Sequence, residues 1–393
     1  MVSKITHHGF EPLVYNILMK DIQRVYLSHT LNAVALSIIS VYVPAYLLSL
    51  GYSLERVILY YAIAPIFGLL LGLFVYVPLM RKSGLINVFK FHYPLKILEL
   101  LLLFLLGYQR IPLEIVALVY GAANYAYWMP LNLLFVRHSA HDEMASNLAK
   151  FYALPQLFGI VGPLIGAILV PFIGFWPVFL ITIIGLIVSY FPLAKVKNTE
   201  LVVSLNFSKA WKRISQNKSL FLFEFFDNVL EESNWFWGVY IFIIIGSLST
   251  PGIVGSLTAI GGALFTFIVG KYAKRHDKKI IPLASILLLF VFALMIIAKE
   301  PLHAYFITVV LSFIFTLFIV SYFSTIYKTI KGEGEEEFII LREIPTVLGR
   351  LVVFAAIYLT ISHLQYFFIT PMIFTVILLL FYIWKKKNLY ATA

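Results

Sequence analysis

Twelve apolar runs, each long enough to cross a lipid bilayer, fill most of this 393-residue chain and leave few folds open to it. A helix needs about 20 apolar residues to span the hydrocarbon core. Runs of this kind, bounded by polar residues or by Gly and Pro, lie at roughly 27–50, 57–80, 85–107, 112–136, 150–172, 175–194, 219–246, 251–273, 280–298, 302–327, 338–361 and 366–384. They predict helices, because strands of a membrane barrel alternate apolar and polar residues at every second position. Charged residues make up 12% of the chain and hydrophobic residues 61%. A soluble domain carries about 25% charge, so the chain has too little charge to cover a globule in water. It is expected to be an all-α integral membrane protein.

Lys and Arg set the orientation, since they concentrate in the loops that stay in the cytoplasm. With the N-terminus inside, inner segments hold 24 of them and outer loops only Arg56, Arg110 and Lys299. Both termini are therefore expected in the cytoplasm of a multi-pass cell-membrane protein. The net charge of +11 then faces anionic lipid, and no nucleic-acid partner is needed to explain it. The opening MVSKITHHGFEP is polar, so the first span is expected to act as its own insertion signal. There is no cysteine, hence no disulfide or thiolate metal site.

The longest inner loop, 195–218, divides the chain into residues 1–194 and 219–393, with six spans in each. Landmarks repeat between the two parts. PQLFG (Pro155 to Gly159) matches PTVLG (Pro345 to Gly349), Arg81-Lys82 matches Lys274-Arg275, and Gly51 matches Gly246, at offsets of 190, 193 and 195. A duplicated six-helix unit is a common plan of secondary transporters. Two motifs go with it. Gly270 and KYAKRHDKK, with Lys274, Arg275 and Asp277, lie between spans eight and nine. PLMRKSG (78–84) lies between spans two and three and keeps the basic pair and Gly84 but has no acid. In span five, GIVGPLIG carries Gly159, Gly162, Pro163 and Gly166.

Twelve spans, a central loop, parallel halves and these motifs together resemble the major facilitator superfamily. The resemblance implies two six-helix bundles related by a pseudo-two-fold axis, with spans one, four, seven and ten lining a central cavity. It also implies that KYAKRHDKK is a second copy of the superfamily's glycine–acid–basic signature, and that GIVGPLIG corresponds to a motif associated with exporters. Small residues four apart also let helices pack closely, and the two readings of GIVGPLIG are compatible. For KYAKRHDKK the plainer reading is an ordinary positive-inside anchor.

Span seven contains FEFFDNVLEESNWFWGVY (223–240), with four of the chain's 19 acids within nine residues. Its 28 residues make roughly 42 Å of helix, more than the ~30 Å hydrocarbon core. Placing the excess at the cytoplasmic end puts Glu224 at the surface, Asp227 at the boundary and Glu231 and Glu232 about one turn inside. Glu224, Asp227 and Glu231 stand at i, i+3 and i+7, on one face. Like charges in a low dielectric cannot all be ionised at once, and an intramembrane acid of this kind suits proton coupling. Trp235 and Trp237 offer ring faces to a cation.

Further cavity candidates are His29, Asn32 and Ser40 in span one, Asn124, Trp128 and Asn132 in span four, and Tyr305, Thr308, Ser312 and Thr316 in span ten. Hydroxyls of such residues can instead bond the carbonyl four residues back. In span three, Lys96 and Glu99 are expected to pair with each other, as a structural feature. Arg350, about 18 Å into span eleven, needs an acidic partner, and a span-seven carboxylate such as Glu231 is the expectation. KGEGEEEF (331–338) is expected to be a solvated loop.

The leading functional reading is a monomeric, proton-coupled exporter of a small cationic or amphipathic molecule, embedded among membrane lipids and without a cofactor. A transporter of an anionic or polar metabolite using Arg350 is the alternative. Divalent metal export lacks a clustered ligand set. A membrane enzyme would need an arrangement such as HExxH or GxSxG, neither of which occurs, nor does a nucleotide-binding GxxxxGK[ST]. A non-transporting receptor would not need a duplicated, charge-bearing interior.

Overall fold

The computed structural model describes residues 11–138, 151, 155, 157–198, 208, 211, 212, 215, 218–330 and 335–391, with side chains described except at 11–20, 265–279, 323–330 and 385–391. Among the described residues every regular element is helical.

The first span runs as Glu11–Ile39, tightens to a 3₁₀ turn at Ser40–Tyr42 and continues as Val43–Ser49. Pro44 has no N–H to give the carbonyl of Ser40, which accounts for a break at that point. The second span is Leu54–Leu71, a π turn at Gly72–Tyr76 and Val77–Ser83. Leu85–Leu105, Leu113–His138, Val161–Ile173 and Trp176–Ala194 form spans three to six. Lys218–Ile245 is the seventh and Pro301–Ile330 the tenth. The eleventh comprises Glu335–Leu341 and Glu343–Leu359. The twelfth begins as the 3₁₀ segment Ile361–Phe368 and continues as Ile369–Ala391.

Spans eight and nine, expected as separate helices, form one helical run, Thr250–Ile297. Its packing shows that it still crosses twice. Gly261 lies against Ser312, while Ile280 packs with Val320 on the same tenth span. Nineteen residues of straight helix would advance roughly 28 Å, whereas Ser312 to Val320 is roughly 12 Å. From Ile280 the run returns to Ile297, only a short link from Pro301. The direction therefore reverses between Gly261 and Ile280, and the number of crossings is twelve.

The internal repeat is visible in contacts as well as in sequence. Gly51 and Gly246 both end a helix with positive φ, at 86° and 70°, a conformation open to Gly without steric cost. Gly159 faces Ser37 across spans five and one, and Gly349 packs on Asn228 across spans eleven and seven. The two contact pairs are related by offsets of 190 and 191, so a packing contact of the first half recurs in the second.

The halves meet along two seams. On one, the ring of Tyr61 of span two meets Trp235 of span seven at 4.4 Å, tilted by 56°, and lies nearly parallel to Phe354 of span eleven. On the other, Ser249 and Ser256 donate hydrogen bonds to the carbonyls of Ala167 and Ile160, both at 3.1 Å. The segment expected as a solvated loop is instead helical from Glu335 onward. Its Glu336 pairs with Arg137 at the end of span four, so an ion pair between the halves holds part of the acidic run in place.

Candidate functional site: a charged cavity between the halves

A cavity of about 410 Å³ lies at the centre of the molecule. The seventh span supplies its most polar wall, with Glu224, Asp227, Asn228, Glu231, Glu232 and Trp235. These positions fall on one helical face plus its neighbour, as i, i+3, i+4 and i+7 spacing requires. The sequence reading placed Glu224 at the surface and Asp227 at the boundary, yet each is only 1% exposed. Span eleven covers both. Its Arg342 lies 3.4 Å from Glu224, and Glu343 and Thr346 line the cavity beside them. Asn228 donates to the Glu224 carbonyl at 2.8 Å and to the Thr346 hydroxyl at 3.1 Å.

Arg350 pairs with Glu232 at 3.2 Å. A span-seven carboxylate was the expected partner, and the one that pairs is Glu232 rather than Glu231, one residue away and about 100° round the helix. Glu231 is exposed to the cavity and, among the described residues, makes no ion pair or hydrogen bond. Both oxygens of Asp227 are buried with no hydrogen-bond partner. Buried acids are ordinarily bonded, so Asp227 has spare capacity for a proton or a cation.

The first half contributes the opposite wall. Asn124, Tyr125, Trp128 and Asn132 come from span four and Ser40 from span one. Lys96 and Glu99 pair at 2.7 Å, as their spacing predicts. Their role as a feature remote from the cavity does not hold, because both line it. The Lys96 ammonium sits 4.7 Å above the Tyr120 ring, and the Tyr60 hydroxyl reaches Glu99 at 3.5 Å. Tyr60 and Tyr120 are stacked at 5.5 Å, so the first half presents rings where the second presents carboxylates.

Of the residues singled out in the sequence, Asp227, Glu231, Glu232, Trp235, Asn124, Trp128 and Arg350 meet in this cavity. His29, Asn32 and Ser312 do not line it. His29 bonds the Tyr127 hydroxyl at 2.6 Å and stacks on Phe151. Asn32 bonds His92 at 3.1 Å, and His92 also meets the Ala123 carbonyl. These buried polar groups satisfy one another inside the first half. Ser312 donates to the Thr308 carbonyl, and Thr308 accepts from Trp237 at 3.0 Å, so the span-ten hydroxyls and Trp237 are packing groups. Span ten gives the cavity only Ile319.

GIVGPLIG lies at the seam between spans five, one and eight. A Cβ at Gly162 would meet Ser37 and one at Gly166 would meet Tyr42, while Pro163 packs on Gly252 and Gly255. Gly270, Lys274, Arg275 and Asp277 fall in the helical stretch whose side chains lie outside the described ones. The sequence reading missed Glu224, Arg342 and Glu343 as cavity groups. The available signal was their common distance from the first residues of two helices, spans seven and eleven, that the repeat makes neighbours. Among the described residues no group of three or more His, Asp or Glu is arranged to hold a metal ion.

By sequence the chain matches no family model and no curated protein. By structure it is similar to the E. coli fucose:proton symporter, with a TM-score of 0.69, 11% identity, 92% of this chain covered and 98% of the other. It is also similar to the nucleoside transporter NupG, with a TM-score of 0.66, 11% identity and coverage of 94% and 98%. A bacterial homologue of the iron transporter ferroportin in an outward-facing state gives a TM-score of 0.63, 14% identity and coverage of 92% and 98%. A further structure of the fucose symporter is described as a major facilitator superfamily transporter in the outward conformation. These likenesses run over nearly the whole of each chain, and the twelve crossings, the repeated contacts and the cavity between the halves agree with them. The chain thus has the fold of the major facilitator superfamily transporters.

Proposed function

We propose that this protein is a secondary active transporter that works by alternating access, exporting a small cationic or amphipathic molecule in exchange for protons. The observation that carries this reading is the charge of the cavity. Glu99, Glu224, Asp227, Glu231, Glu232 and Glu343 line it, against Lys96, Arg342 and Arg350. Acids in such excess, with Glu99, Glu224, Asp227 and Glu343 buried, require compensating positive charge. Protons and a cationic substrate are alternative sources of that charge, and their mutual exclusion is what an exchanger needs. Trp128, Trp235, Tyr61 and Tyr120 supply ring faces suited to an organic cation. Asp227 and Glu231 are the acids without partners, so they are assigned the coupling role.

The test is purified protein in proteoliposomes with a pH dye inside, challenged with ethidium as a lipophilic cation. Addition of the cation should move protons through the wild type. Asp227→Asn and Glu231→Gln should each remove that movement while the protein remains folded. Undiminished proton movement in both variants would exclude these acids from coupling.

A second reading, transport of a polar uncharged solute, has support from Asn124, Asn132 and Asn228 beside the tryptophans. It predicts that fucose or a nucleoside, and not ethidium, raises the melting temperature of the purified protein.

A further inference from the structure

A second cavity, of about 650 Å³, opens on the outside of the first half, between spans three and six. Its floor is a stripe on span three, with Asn87, Lys90, Pro94 and Ile97 at spacings of three, four and three, which is one face of a helix, and Ser83 at the end of span two closes the shallow end. Leu186 and Tyr190 of span six form the facing wall. The polarity is ordered along its length. Ser83, Asn87 and Lys90 lie at the end nearest the loop, and past Lys90 the lining is apolar apart from the hydroxyls of Tyr93 and Tyr190, of which that of Tyr93 is bonded inward to Ser28 and the Ser189 carbonyl. From Asn87 to Ile97 the stripe extends roughly 15 Å, about the depth of a single leaflet of hydrocarbon.

The shallow end is basic. Lys90 gives one hydrogen bond, to the Val196 carbonyl at 3.4 Å, and an ammonium has three donors. Lys82, Lys195 and Lys197 are exposed at the same rim, next to groove residue Ser83 and to Val196. No Asp or Glu lines the groove. We propose that this groove is a binding site for one anionic glycerophospholipid, with its phosphate on Lys90 and one acyl chain laid along span three toward Ile97. Ordinary annular lipid would cover any apolar face, but it would have no use for a polar-to-apolar gradient ending in unopposed positive charge. The inference does not depend on the transport reading.

The absence of cysteine makes the experiment direct. Val188→Cys, 48% exposed beside groove residue Ile187, and Ile286→Cys, 45% exposed on span nine, each carry a single fluorescent label at the bilayer face. The labelled proteins are placed in vesicles containing brominated phosphatidylglycerol or brominated phosphatidylcholine. A basic group near the surface is worth about fivefold in affinity for an anionic lipid. The label at 188 should therefore be quenched by phosphatidylglycerol at about one-fifth the mole fraction needed with phosphatidylcholine, and the label at 286 should show no such difference. Lys90→Gln should abolish the preference at 188. Equal quenching by both lipids at 188, an equal preference at 286, or a preference that survives Lys90→Gln would each overturn the site.

Discussion

Asp227 lies between two ion pairs, Glu224–Arg342 one turn toward the start of the helix and Glu232–Arg350 further along it, and its own oxygens accept no hydrogen bond. The two pairs clamp span seven to span eleven, and the acid between them is left to respond to what enters the cavity. Exchanging the charges of one pair tests the clamp. Glu232→Arg or Arg350→Glu alone places two like charges together and should abolish transport, and the double variant should recover part of it, measured as substrate flux in proteoliposomes. The Lys96–Glu99 pair is more deeply enclosed. Lys96→Met leaves a carboxylate buried alone and should cost about 3–5 kcal/mol, seen as a lower melting temperature. Lys96→Met with Glu99→Leu should regain most of that loss, because burying neither charge avoids the desolvation cost. At this scale the sequence was readable where chemistry is stored in spacing, as with the acids at 227 and 231 or the lysine and glutamate three apart. It was unreadable where burial depends on a distant helix. Nothing near Glu224 in the chain announces that Arg342, 118 residues away, covers it. Likewise His29 and Asn32 are polar and adjacent on one face, but only the fold shows that Tyr127 and His92 complete their bonds.

Elements pack here through small residues at defined heights. Gly252 of span eight is the tightest case at the seam between the halves, where an added Cβ would stand 2.1 Å from the Tyr42 hydroxyl and 2.3 Å from the Pro163 carbonyl. Gly252→Ala should therefore lower stability by about 1–3 kcal/mol, the usual cost of overpacking. Gly238→Ala is the control, since the nearest atom to its Cβ is 3.7 Å away, and Ala is the better helix former. Thermal unfolding of the two variants compares them directly. Span positions were legible in sequence because hydropathy decides them, while ends were less so: the first helix begins at Glu11, well before the apolar run at 27, and the last continues to Ala391, past the run's end at 384. The reversal between spans eight and nine was legible, but the helical structure that continues up to it on both sides was not; a stretch rich in Lys and Arg has good helix propensity.

In the whole molecule, Arg137 and Glu336 join the ends of spans four and eleven on the basic side. Removing that link should shift the population toward states open on this side. In the cysteine-free background, Asn132→Cys lies in the cavity about one and a half turns from Arg137. Its labelling by an impermeant thiol reagent should accelerate severalfold in Arg137→Glu and return toward the starting rate when Glu336→Arg is added. An unchanged rate would mean that the pair does not hold this side closed. The duplication was legible as three landmarks in register, and the recurring contact of span five on one and eleven on seven gives them physical content. The asymmetry between the halves was less visible. The position equivalent to Glu231 at the same offset is Ser40, so one copy kept a hydroxyl where the other has an acid.

The strip formed by Pro163, Gly252 and Gly255, with serine hydroxyls fastened to the carbonyls of Ile160 and Ala167, leaves almost no slack between spans five and eight. Two bodies joined so tightly along a line can rock about it far more cheaply than they can separate. Under the proposed alternating access that line would serve as the axle, with the mouths on either side of it opening in turn.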